Sequence, residues 1–352
     1  MQSVENIKLS DLERQICGAE ASIRTVLEKL NSLEESFVVV VNSKKNVLGT
    51  LTDGDLRRAI IKNNLNLDGL VIDCMKADPL VGHEGKNEEN LEKLSNLDLS
   101  RPFLPIVDDN NCLISILVGN KRDKTFNTAL ILAGGLGSRL GKKTENTPKP
   151  LLKIGGEPII SRIVNRLEGA GFDEIYISVH YLSEKIQHFF ENRKNKASIK
   201  LLIEDKPLGT AGSLGLLPSS VDTDVLVING DILTDVNFDN LRDMHLQNGN
   251  HATIAAASYN TEIPFGVLKY NSNGVFQSIE EKPIRRHFVC AGLYCLSPLF
   301  LRLLPKKQKL DMPDLINMGK SSGLKVGIFP IHEYWKDIGL PDDFYEAEQH
   351  FS

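Results

Sequence analysis

The first third of the chain contains the same pattern of apolar residues twice: a segment with helical spacing, followed by two short apolar runs. Apolar positions three and four apart indicate a helix, and short apolar runs between polar turns indicate buried strands. The helical patterns cover residues 23–33 and 88–97, and the apolar runs cover 37–41 and 47–51 in the first copy and 104–107 and 113–117 in the second. We therefore predict a weak internal repeat of helix, strand, acidic or amide-rich turn and strand.

From residue 128 onward the pattern becomes an alternation of apolar runs and helical spacings. Strands are predicted at 129–133, 174–179, 200–204 and 224–228, with helices at 159–169, 184–191, 211–216 and 238–247. After residue 250 strands dominate, at 252–258, 265–270, 275–280 and 288–296. This order predicts an α/β fold with a mixed, mostly parallel sheet that the last strand rejoins. Ligands bind such a sheet at the carboxyl ends of its strands.

The clearest boundary between the two patterns is the polar, charged stretch 120–125. Placing the linker there predicts one domain over residues 1–120, a linker over 121–127 and a second domain over 128–352. Both domains then have ordinary sizes.

Composition narrows the function classes. The 352 residues are 41% hydrophobic and 25% charged, as in a soluble globular protein, and the net charge of −5 argues against general nucleic-acid binding. No apolar run approaches the ~18 residues that span a bilayer, and the first 14 residues do not resemble a secretory signal. Five scattered cysteines without a Cys-x-x-Cys pair predict reduced thiols and a cytoplasmic protein. No His or Cys spacing suggests zinc, so we expect any metal to have oxygen ligands.

A glycine-rich turn follows the apolar strand 129–133 and carries one arginine. Gly134, Gly135 and Gly137 allow backbone N–H groups to approach a phosphate closely, and Arg139 adds a fork of donors. The segment lacks the Gly-Lys-Ser/Thr ending of a Walker loop, and Leu140 stands where the dinucleotide motif needs glycine. The turn therefore predicts a phosphate site of a different kind.

Lys149 lies between two prolines, eleven residues after Ser138. The prolines restrict the backbone, so the ammonium can be directed at small entropic cost. Together the two segments closely resemble the signature of the sugar-1-phosphate nucleotidyltransferases, a glycine turn with arginine followed by Pro-Lys-Pro. This resemblance implies a Rossmann-like nucleotidyltransferase domain.

Further segments match that family in the same order along the chain. By resemblance, the nucleotide contacts Leu132, Ala133, Gly134, Gly135, Gly137, Ser138, Arg139, Lys149, Gly209, Thr210 and Ala211. The sugar phosphate contacts Gly266, Glu281, Lys282 and Gly292. Mg²⁺ is held by Asp231 and Asp337, and the catalytic residues are Arg139, Lys149 and Lys282. The implied reaction joins a sugar 1-phosphate to a nucleoside triphosphate and releases pyrophosphate.

The residues by themselves leave structural alternatives open. Asp231 suits a turn at a strand end, Glu281 and Lys282 suit a solvated charge pair, and Asp337 suits the cap of a following turn. The sequence also departs from the family where Cys290 replaces a common asparagine. That change leaves open which sugar hydroxyl is recognised there.

The first domain resembles a tandem pair of CBS (cystathionine β-synthase) domains. The resemblance rests on the segment 49–59, in which Thr52 and Asp55 match a Thr-x-x-Asp motif that binds adenosine-type nucleotides. By resemblance Asp55 contacts a ribose and Thr52 lies near a phosphate. The alternative is that Thr52 or Asp53 only caps the following helix. The second copy lacks the motif, so we expect at most one complete nucleotide site.

The fusion of a CBS pair to this transferase resembles bacterial glucosamine-1-phosphate guanylyltransferases of legionaminic acid biosynthesis. It implies GTP and glucosamine 1-phosphate as substrates and GDP-glucosamine as product. The nearest rival is the same chemistry with GTP and mannose 1-phosphate. A rival of another class is a nucleotide sensor whose transferase domain is silent. CBS pairs commonly associate through their helices, so a homodimer or larger homo-oligomer is expected.

Overall fold

The computed structural model describes residues 5–7, 12–33, 36–63, 68–97, 99, 101–119, 126–135, 137–305 and 308–351. These divide into two compact units. The first comprises the described part of Met1–Thr125 with Arg242–Asn248, and the second comprises Phe126–Leu241 and the described part of Gly249–Ser352. Most of the predicted linker, residues 121–125, lies outside the described residues.

The first unit contains two small sheets with similar order. Its strands are β1 (Glu5–Ile7), β2 (Ile16–Gly18), β3 (Phe37–Val41), β4 (Val47–Thr52), β5 (Lys76–Ala77), β6 (Gly82–His83), β7 (Phe103–Val107) and β8 (Leu113–Val118). Its helices are α1 (Ile23–Ser32), α2 (Asp53–Asn63) and α3 (Asn87–Ser95). The described strands pair in the orders β2-β3-β4-β5 and β1-β8-β7-β6. In the first sheet β3 and β4 are antiparallel and β2 pairs parallel to β3. In the second sheet β7 and β8 are antiparallel and β6 pairs parallel to β7.

Strand β3 is buried on both faces, which explains its unbroken apolar sequence. Phe37 and Val39 pack in a cluster with residues of β7 and β8, whereas Val38 and Val40 pack against α1. The ring of Phe37 stacks on that of Phe103, with centroids 3.8 Å apart. Because side chains alternate along a strand, this single strand joins the apolar clusters of both halves of the repeat.

The second unit is built on a seven-stranded sheet. Its strands are β9 (Thr128–Leu132), β10 (Lys153–Ile154), β11 (Glu157–Pro158), β12 (Glu174–Val179), β13 (Ser198–Ile203), β14 (Val225–Asn229), β15 (Ile232–Thr234), β16 (Ala252–Glu262), β17 (Val267–Tyr270), β18 (Phe276–Glu280), β19 (Ile284–Leu296), β20 (Val326–Ile331) and β21 (Trp335–Asp337). Its helices are α4 (Ile159–Gly169), α5 (Ser183–Glu191), α6 (Gly209–Gly212), α7 (Phe238–Gln247), α8 (Pro298–Leu301), α9 (Met312–Ser321) and α10 (Pro341–Phe351).

The order of the main sheet is β13-β12-β9-β14-β19-β16-β20. Four of its pairings are parallel, and the two made by β19 are antiparallel. The predicted mostly parallel sheet, and the return of the last long strand to it, are therefore confirmed. Residues 129–131 of the central strand β9 are fully buried, as expected for a strand covered on both faces.

The register of the sheet brings several chain segments to one edge. Leu132, at the end of β9, lies opposite Ser178 of β12 and Asn229 of β14. The chain therefore leaves all three parallel strands at the same level, and the glycine-rich turn begins there. Among the described residues, no helix is both long and apolar enough to cross a membrane.

Candidate active site

The glycine-rich turn begins where the hydrogen bonding of β9 ends. The N–H of Ala133 donates to the carbonyl of Ser178, and the N–H of Gly230 donates to the carbonyl of Leu132, both at 2.8 Å. A Cβ at Gly134 would lie 2.9 Å from a carboxylate oxygen of Glu204. Because that distance is too short for carbon and oxygen, only glycine fits where the turn passes this carboxylate.

The turn forms one wall of a cleft of about 250 Å³. The cleft lies at the carboxyl edge of the sheet, where parallel sheets bind ligands. It is lined by Leu132, Ala133, Gly134, Gly135, Lys149, Pro150, Glu204, Pro207, Gly209, Thr210, Ser213, Asn229, Gly230, Asp231 and Asp311. Eight of the predicted site residues therefore share one cavity.

Lys149 carries its charge into this cleft although the residue is only 8% exposed. It begins a short 3-10 turn, Lys149–Leu151, directly after the extended Pro148. Its Nζ lies 2.5 Å from Oδ2 of Asp231 and 3.9 Å from Oδ1 of Asp337. One ammonium thus bridges two carboxylates.

A two-stranded antiparallel ribbon brings those two aspartates together. In the pairing of β15 with β21, Ile232 lies opposite Asp337. The N–H of Ile338 donates to the carbonyl of Asp231 at 3.0 Å, which extends the contact by one residue. In the sequence, the segment that carries Asp337 was identified only by resemblance. In the structure, the pairing of β21 with β15 fixes its position.

Each aspartate retains one buried oxygen, Oδ1, without a hydrogen-bond partner among the described residues. Burial raises the pKa of Asp337, and the nearby charge of Asp231 raises it further, whereas Lys149 and Arg139 lower it. Buried carboxylate oxygens normally have a partner, because an unpaired one costs roughly 1–3 kcal/mol. Hard divalent cations such as Mg²⁺ prefer such oxygens, so this pair fits a metal.

Arg139 lies on the open side of the same cluster. Its side chain is exposed, and Nη1 lies 3.6 Å from the Cβ position of Gly339, which is itself 3.7 Å from Oδ1 of Asp337. Ser138 precedes it at the start of the 3-10 turn Ser138–Thr144 and is also exposed. Gly137 takes a left-handed φ of 65°, and its Cβ position is 3.1 Å from Cβ of Lys149. The tight turn thus packs Gly137 against Lys149.

Glu204 places a buried carboxylate in the cleft. By resemblance it begins the base-pocket segment 204–212, but it was not among the residues predicted to contact the nucleotide. It directly follows β13 and is 7% exposed. The hydroxyl of Ser178 donates to Oε1, and the N–H of Leu208 donates to Oε2 at 2.9 Å. An acid directly after a parallel strand was the available signal, since that position faces the ligand edge of the sheet.

The segment 209–211 is fixed against the start of α9. The N–H of Thr210 donates to Oδ1 of Asp311 at 3.2 Å, and the N–H of Met312 donates to the Thr210 hydroxyl at 2.8 Å. Gly209 has a φ of 79°, and its Cβ position is 2.5 Å from the carbonyl of Leu310. Ala211 is fully buried behind them. Asp311 also lines the cleft and was missed, because it lies far from every recognisable motif.

The predicted sugar-phosphate residues form a second group. Gly266 adjoins Glu281, whose Oε2 is 2.9 Å from the glycine's Cβ position. Lys282 follows in the turn between β18 and β19, with a left-handed φ of 43°. Both charged side chains are exposed, and neither is among the residues that line the cleft. Their role remains a prediction.

Gly292 connects this group to the cleft. It lies with a φ of 66° in an irregularity of β19, and its Cβ position is 2.5 Å from Nδ2 of the cleft residue Asn229. The indole N–H of Trp335 donates to the carbonyl of Ala291 at 2.9 Å. The bulge is therefore fixed by the strand that carries Asp337.

In the first unit, Thr52 and Asp55 form a capping box at the start of α2. The N–H and hydroxyl of Thr52 donate to Oδ2 of Asp55 at 3.0 and 2.7 Å, and the N–H of Asp55 donates back to the threonine hydroxyl at 3.2 Å. Arg58 donates to the other carboxylate oxygen at 2.7 Å. Thr52 therefore caps α2, as the alternative interpretation of this motif expected. Nucleotide binding by Thr52 and Asp55 stays a prediction.

We expect Thr52→Ala to reduce the free energy of unfolding of the first unit by about 1 kcal/mol, because it removes a helix cap. Thermal unfolding followed by circular dichroism measures the effect. Ser43→Ala, at an exposed position in the turn between β3 and β4, is a control that leaves the capping box of α2 intact. Equal stability of Thr52→Ala and wild type would show that the box contributes nothing.

The two parts of the chain match different protein families. A nucleotidyl transferase family model matches residues 128–352, and a CBS domain model matches residues 12–62. Mannose-1-phosphate guanyltransferase of Debaryomyces hansenii is 32% identical over 228 residues, which are 61% of this chain and 62% of the relative. Mannose-1-phosphate guanylyltransferase catalytic subunit beta of Drosophila melanogaster is 30% identical over 238 residues, 65% of this chain and 63% of the relative. The chain thus spans less than two thirds of these relatives' length.

Solved structures resemble the same part of the chain. HddC from Yersinia pseudotuberculosis, complexed with GMP-PN, is 25% identical and matches with a TM-score of 0.52 over 64% of this chain and 100% of its own. A putative glucose-1-phosphate thymidylyltransferase from Bacillus anthracis matches with the same TM-score at 24% identity, over 64% of this chain and 94% of its own, and supports the fold alone. The family match, the sheet and the cleft at its edge agree: the chain belongs to the nucleotidyl transferase family and carries a CBS domain at residues 12–62.

Proposed function

We propose that the protein transfers a nucleotidyl group from a nucleoside triphosphate to a sugar 1-phosphate and releases pyrophosphate. The observation that carries the proposal is the contact of Lys149 with Asp231 and Asp337 at the end of the cleft. The Lys149 ammonium suits the phosphates of a nucleoside triphosphate, and the unpaired carboxylate oxygens of the two aspartates suit the metal that accompanies it. The family's curated relatives named above act on mannose 1-phosphate.

The chemistry calls for positioning and charge neutralisation. A sugar phosphate is already anionic at neutral pH, so its oxygen can attack the α-phosphorus without a dedicated base. Lys149 and Arg139 neutralise the triphosphate and the departing pyrophosphate, while the glycine-rich turn offers backbone N–H groups. Lys282, at its exposed turn, is proposed to hold the phosphate of the sugar. Holding the two anionic substrates in line removes the entropic cost of bringing them together, and this contributes to the acceleration.

Asp231 and Asp337 are the residues that would hold Mg²⁺. Their buried Oδ1 atoms without hydrogen-bond partners fit a hard cation, and Mg²⁺ commonly takes one or two carboxylates together with substrate phosphates. When bound, the metal supplies charge neutralisation and alignment of the reacting phosphates. A bound cation would compete with Lys149 for Asp231, and the ammonium would then be available to the triphosphate.

Glu204 supports guanine as the base. An ionised carboxylate only accepts hydrogen bonds, and guanine presents adjacent N1–H and N2–H₂ donors. Uracil and thymine instead present one N–H between two carbonyl oxygens, one of which would face a carboxylate oxygen. The Glu204 carboxylate keeps acceptor capacity beyond the Ser178 and Leu208 donors, because each oxygen has two lone pairs. GTP is therefore the proposed nucleotide.

For the sugar we propose a hexose 1-phosphate, with two candidates. Mannose 1-phosphate is supported by the names of the curated relatives. Glucosamine 1-phosphate, giving GDP-glucosamine for legionaminic acid, is supported by the fusion of a CBS domain to the transferase. The distinguishing position is the 2-substituent, which is an axial hydroxyl in mannose and an equatorial amine in glucosamine.

The experiment is a pyrophosphate-release assay over a grid of ATP, CTP, GTP, UTP and dTTP with mannose, glucosamine and glucose 1-phosphates and added Mg²⁺. We expect the highest kcat/KM with GTP and one of the first two sugars. Turnover with no pair would instead favour the alternative of a nucleotide sensor with a silent transferase. Repeating the best pair with AMP, ATP or GMP added tests whether the CBS domain takes a regulatory nucleotide.

A further inference from the structure

One acidic residue of the cleft has no part in the reaction proposed above. Among the described residues, three acids line the cleft: Glu204, Asp231 and Asp311. Asp231 contacts Lys149, and Glu204 is proposed to face the base. Asp311 directly precedes α9, and the residue is exposed. Because a carboxylate repels phosphate, the part of a substrate that lies beside Asp311 should carry no phosphate.

The carboxylate of Asp311 does not cap the helix that follows it. Asp311 occupies the N-cap position of α9 with φ −97° and ψ 153°, where an aspartate side chain normally accepts from an N–H of the first turn. Within the described segment 308–351 that hydrogen bond is not made. The N–H of Met312 donates instead to the hydroxyl of Thr210 at 2.8 Å. The Asp311 carboxylate is therefore directed away from its own helix.

The protein uses only one oxygen of this carboxylate. Oδ1 accepts from the N–H of Thr210 at 3.2 Å. Glycine at position 209 makes room for it, because a Cβ on Gly209 would lie 2.6 Å from Oδ1. In the part of the chain that the structure describes, Oδ2 has no hydrogen-bond partner. The second oxygen of a residue on the cleft wall thus keeps its acceptor capacity for a ligand.

Fastening the two chain segments together does not require the carboxylate. The N–H groups of Ala211 and Gly212 donate to the carbonyl of Leu310 at 2.9 and 3.0 Å, and the N–H of Leu310 donates to the carbonyl of Leu208 at 2.9 Å. These three backbone hydrogen bonds are all shorter than the one that Asp311 accepts. A purely structural role would therefore add little to a junction that the backbone already makes.

The chemistry of the substrates selects what Asp311 binds. An ionised carboxylate only accepts hydrogen bonds, and the two substrates offer donors on the base and on their sugar rings. The donors of the base are proposed to meet Glu204, which leaves the sugar rings. An acid at the edge of a parallel sheet binds a ribose hydroxyl in the same way in dinucleotide-binding folds.

From these features we infer that Asp311 is a specificity-determining residue, whose Oδ2 accepts a hydrogen bond from a hydroxyl or amine of a sugar ring. The ring is the ribose of the nucleotide or the hexose of the sugar phosphate, and both present the same donors. This inference rests on the proposed function. It assigns a ligand contact to a residue that no sequence motif indicated.

The test compares wild type with Asp311→Asn in the pyrophosphate-release assay, using the pair of substrates that wild type prefers. Asparagine keeps an oxygen for the N–H of Thr210, so the melting temperature should not change. We expect kcat/KM to fall about 10-fold to 100-fold, as on loss of a charge-assisted hydrogen bond. The control, Asp314→Asn, removes the same charge from an exposed position in the first turn of α9 outside the cleft, and should match wild type.

Substrate analogues that lack one ring substituent locate the contact. If the ribose is bound, 2′-deoxyGTP or 3′-deoxyGTP should lower kcat/KM for wild type, and Asp311→Asn should cost nothing further with that analogue. If the hexose is bound, a deoxy analogue of the sugar 1-phosphate should show the same pattern. Removal of the carboxylate and of its partner is then not additive, which a general loss of structure would not produce.

Wild-type kcat/KM in Asp311→Asn would overturn the inference, and so would an equal loss with the full substrates and with every analogue. Either outcome leaves nucleotidyl transfer in place, because wild type is active in the same assay. Absence of wild-type turnover with any pair would instead remove the proposed function, and this inference with it.

Discussion

Lys149→Ala is expected to lower kcat about 100-fold to 1,000-fold, the usual effect of removing one group that stabilises charge in a transition state. The ammonium is the most buried cation of the cleft and contacts Asp231 directly. Turnover is measured as pyrophosphate release with saturating GTP and sugar 1-phosphate. Lys153→Ala changes an exposed lysine four positions further along and should be near wild type.

A second measurement separates lost chemistry from lost folding. The same substitution removes the cation that competes for the two carboxylates, so Mn²⁺ binding without nucleotide should be retained or tightened. Asp231→Asn, by contrast, should lose both turnover and Mn²⁺ binding. Near-normal pyrophosphate release by either variant would contradict the assigned roles.

Glu204→Gln is expected to change the preference for the base. The amide oxygen can still accept from Leu208, and the amide nitrogen can donate to the hydroxyl of Ser178, so the fold tolerates the change. With guanine, one donor then loses its acceptor in a buried site, which costs roughly 1–3 kcal/mol. We expect kcat/KM for GTP to fall about 10-fold to 100-fold and that for UTP or dTTP to rise.

The control is Glu174→Gln, another acid-to-amide change in the same sheet, where the carboxylate pairs with Lys200 outside the cleft. Its preference for GTP should match that of wild type. If Glu204→Gln retains the full GTP preference, base reading lies elsewhere in the cleft, and the transfer reaction itself is unaffected by that outcome.

The sequence predicted the parts of the site that long, periodic elements determine. Strands β9 and β14 are apolar runs that end two residues before Gly134 and Asp231, and parallel strands bring such ends to one edge. In the structure Gly134 and Asp231 accordingly line the same cleft.

Short elements and distant contacts could not be predicted from local pattern. Strand β21 has three residues, too few to show a period of two, so Asp337 was found by resemblance alone. Asp311 reaches the cleft because its carboxylate accepts from the N–H of Thr210 while the Thr210 hydroxyl accepts from the N–H of Met312, and no local pattern encodes these contacts. The strands predicted at 265–270 and 275–280 correspond to β17 and β18.

The most direct test of the account is product stoichiometry in a single reaction mixture. With wild type, GTP, the preferred sugar 1-phosphate and Mg²⁺, mass spectrometry and phosphate analysis should find equal amounts of GDP-sugar and pyrophosphate, and neither when Asp231→Asn replaces wild type. Release of inorganic phosphate and GDP that does not depend on the sugar would show a hydrolase instead, and would contradict nucleotidyl transfer at this cleft.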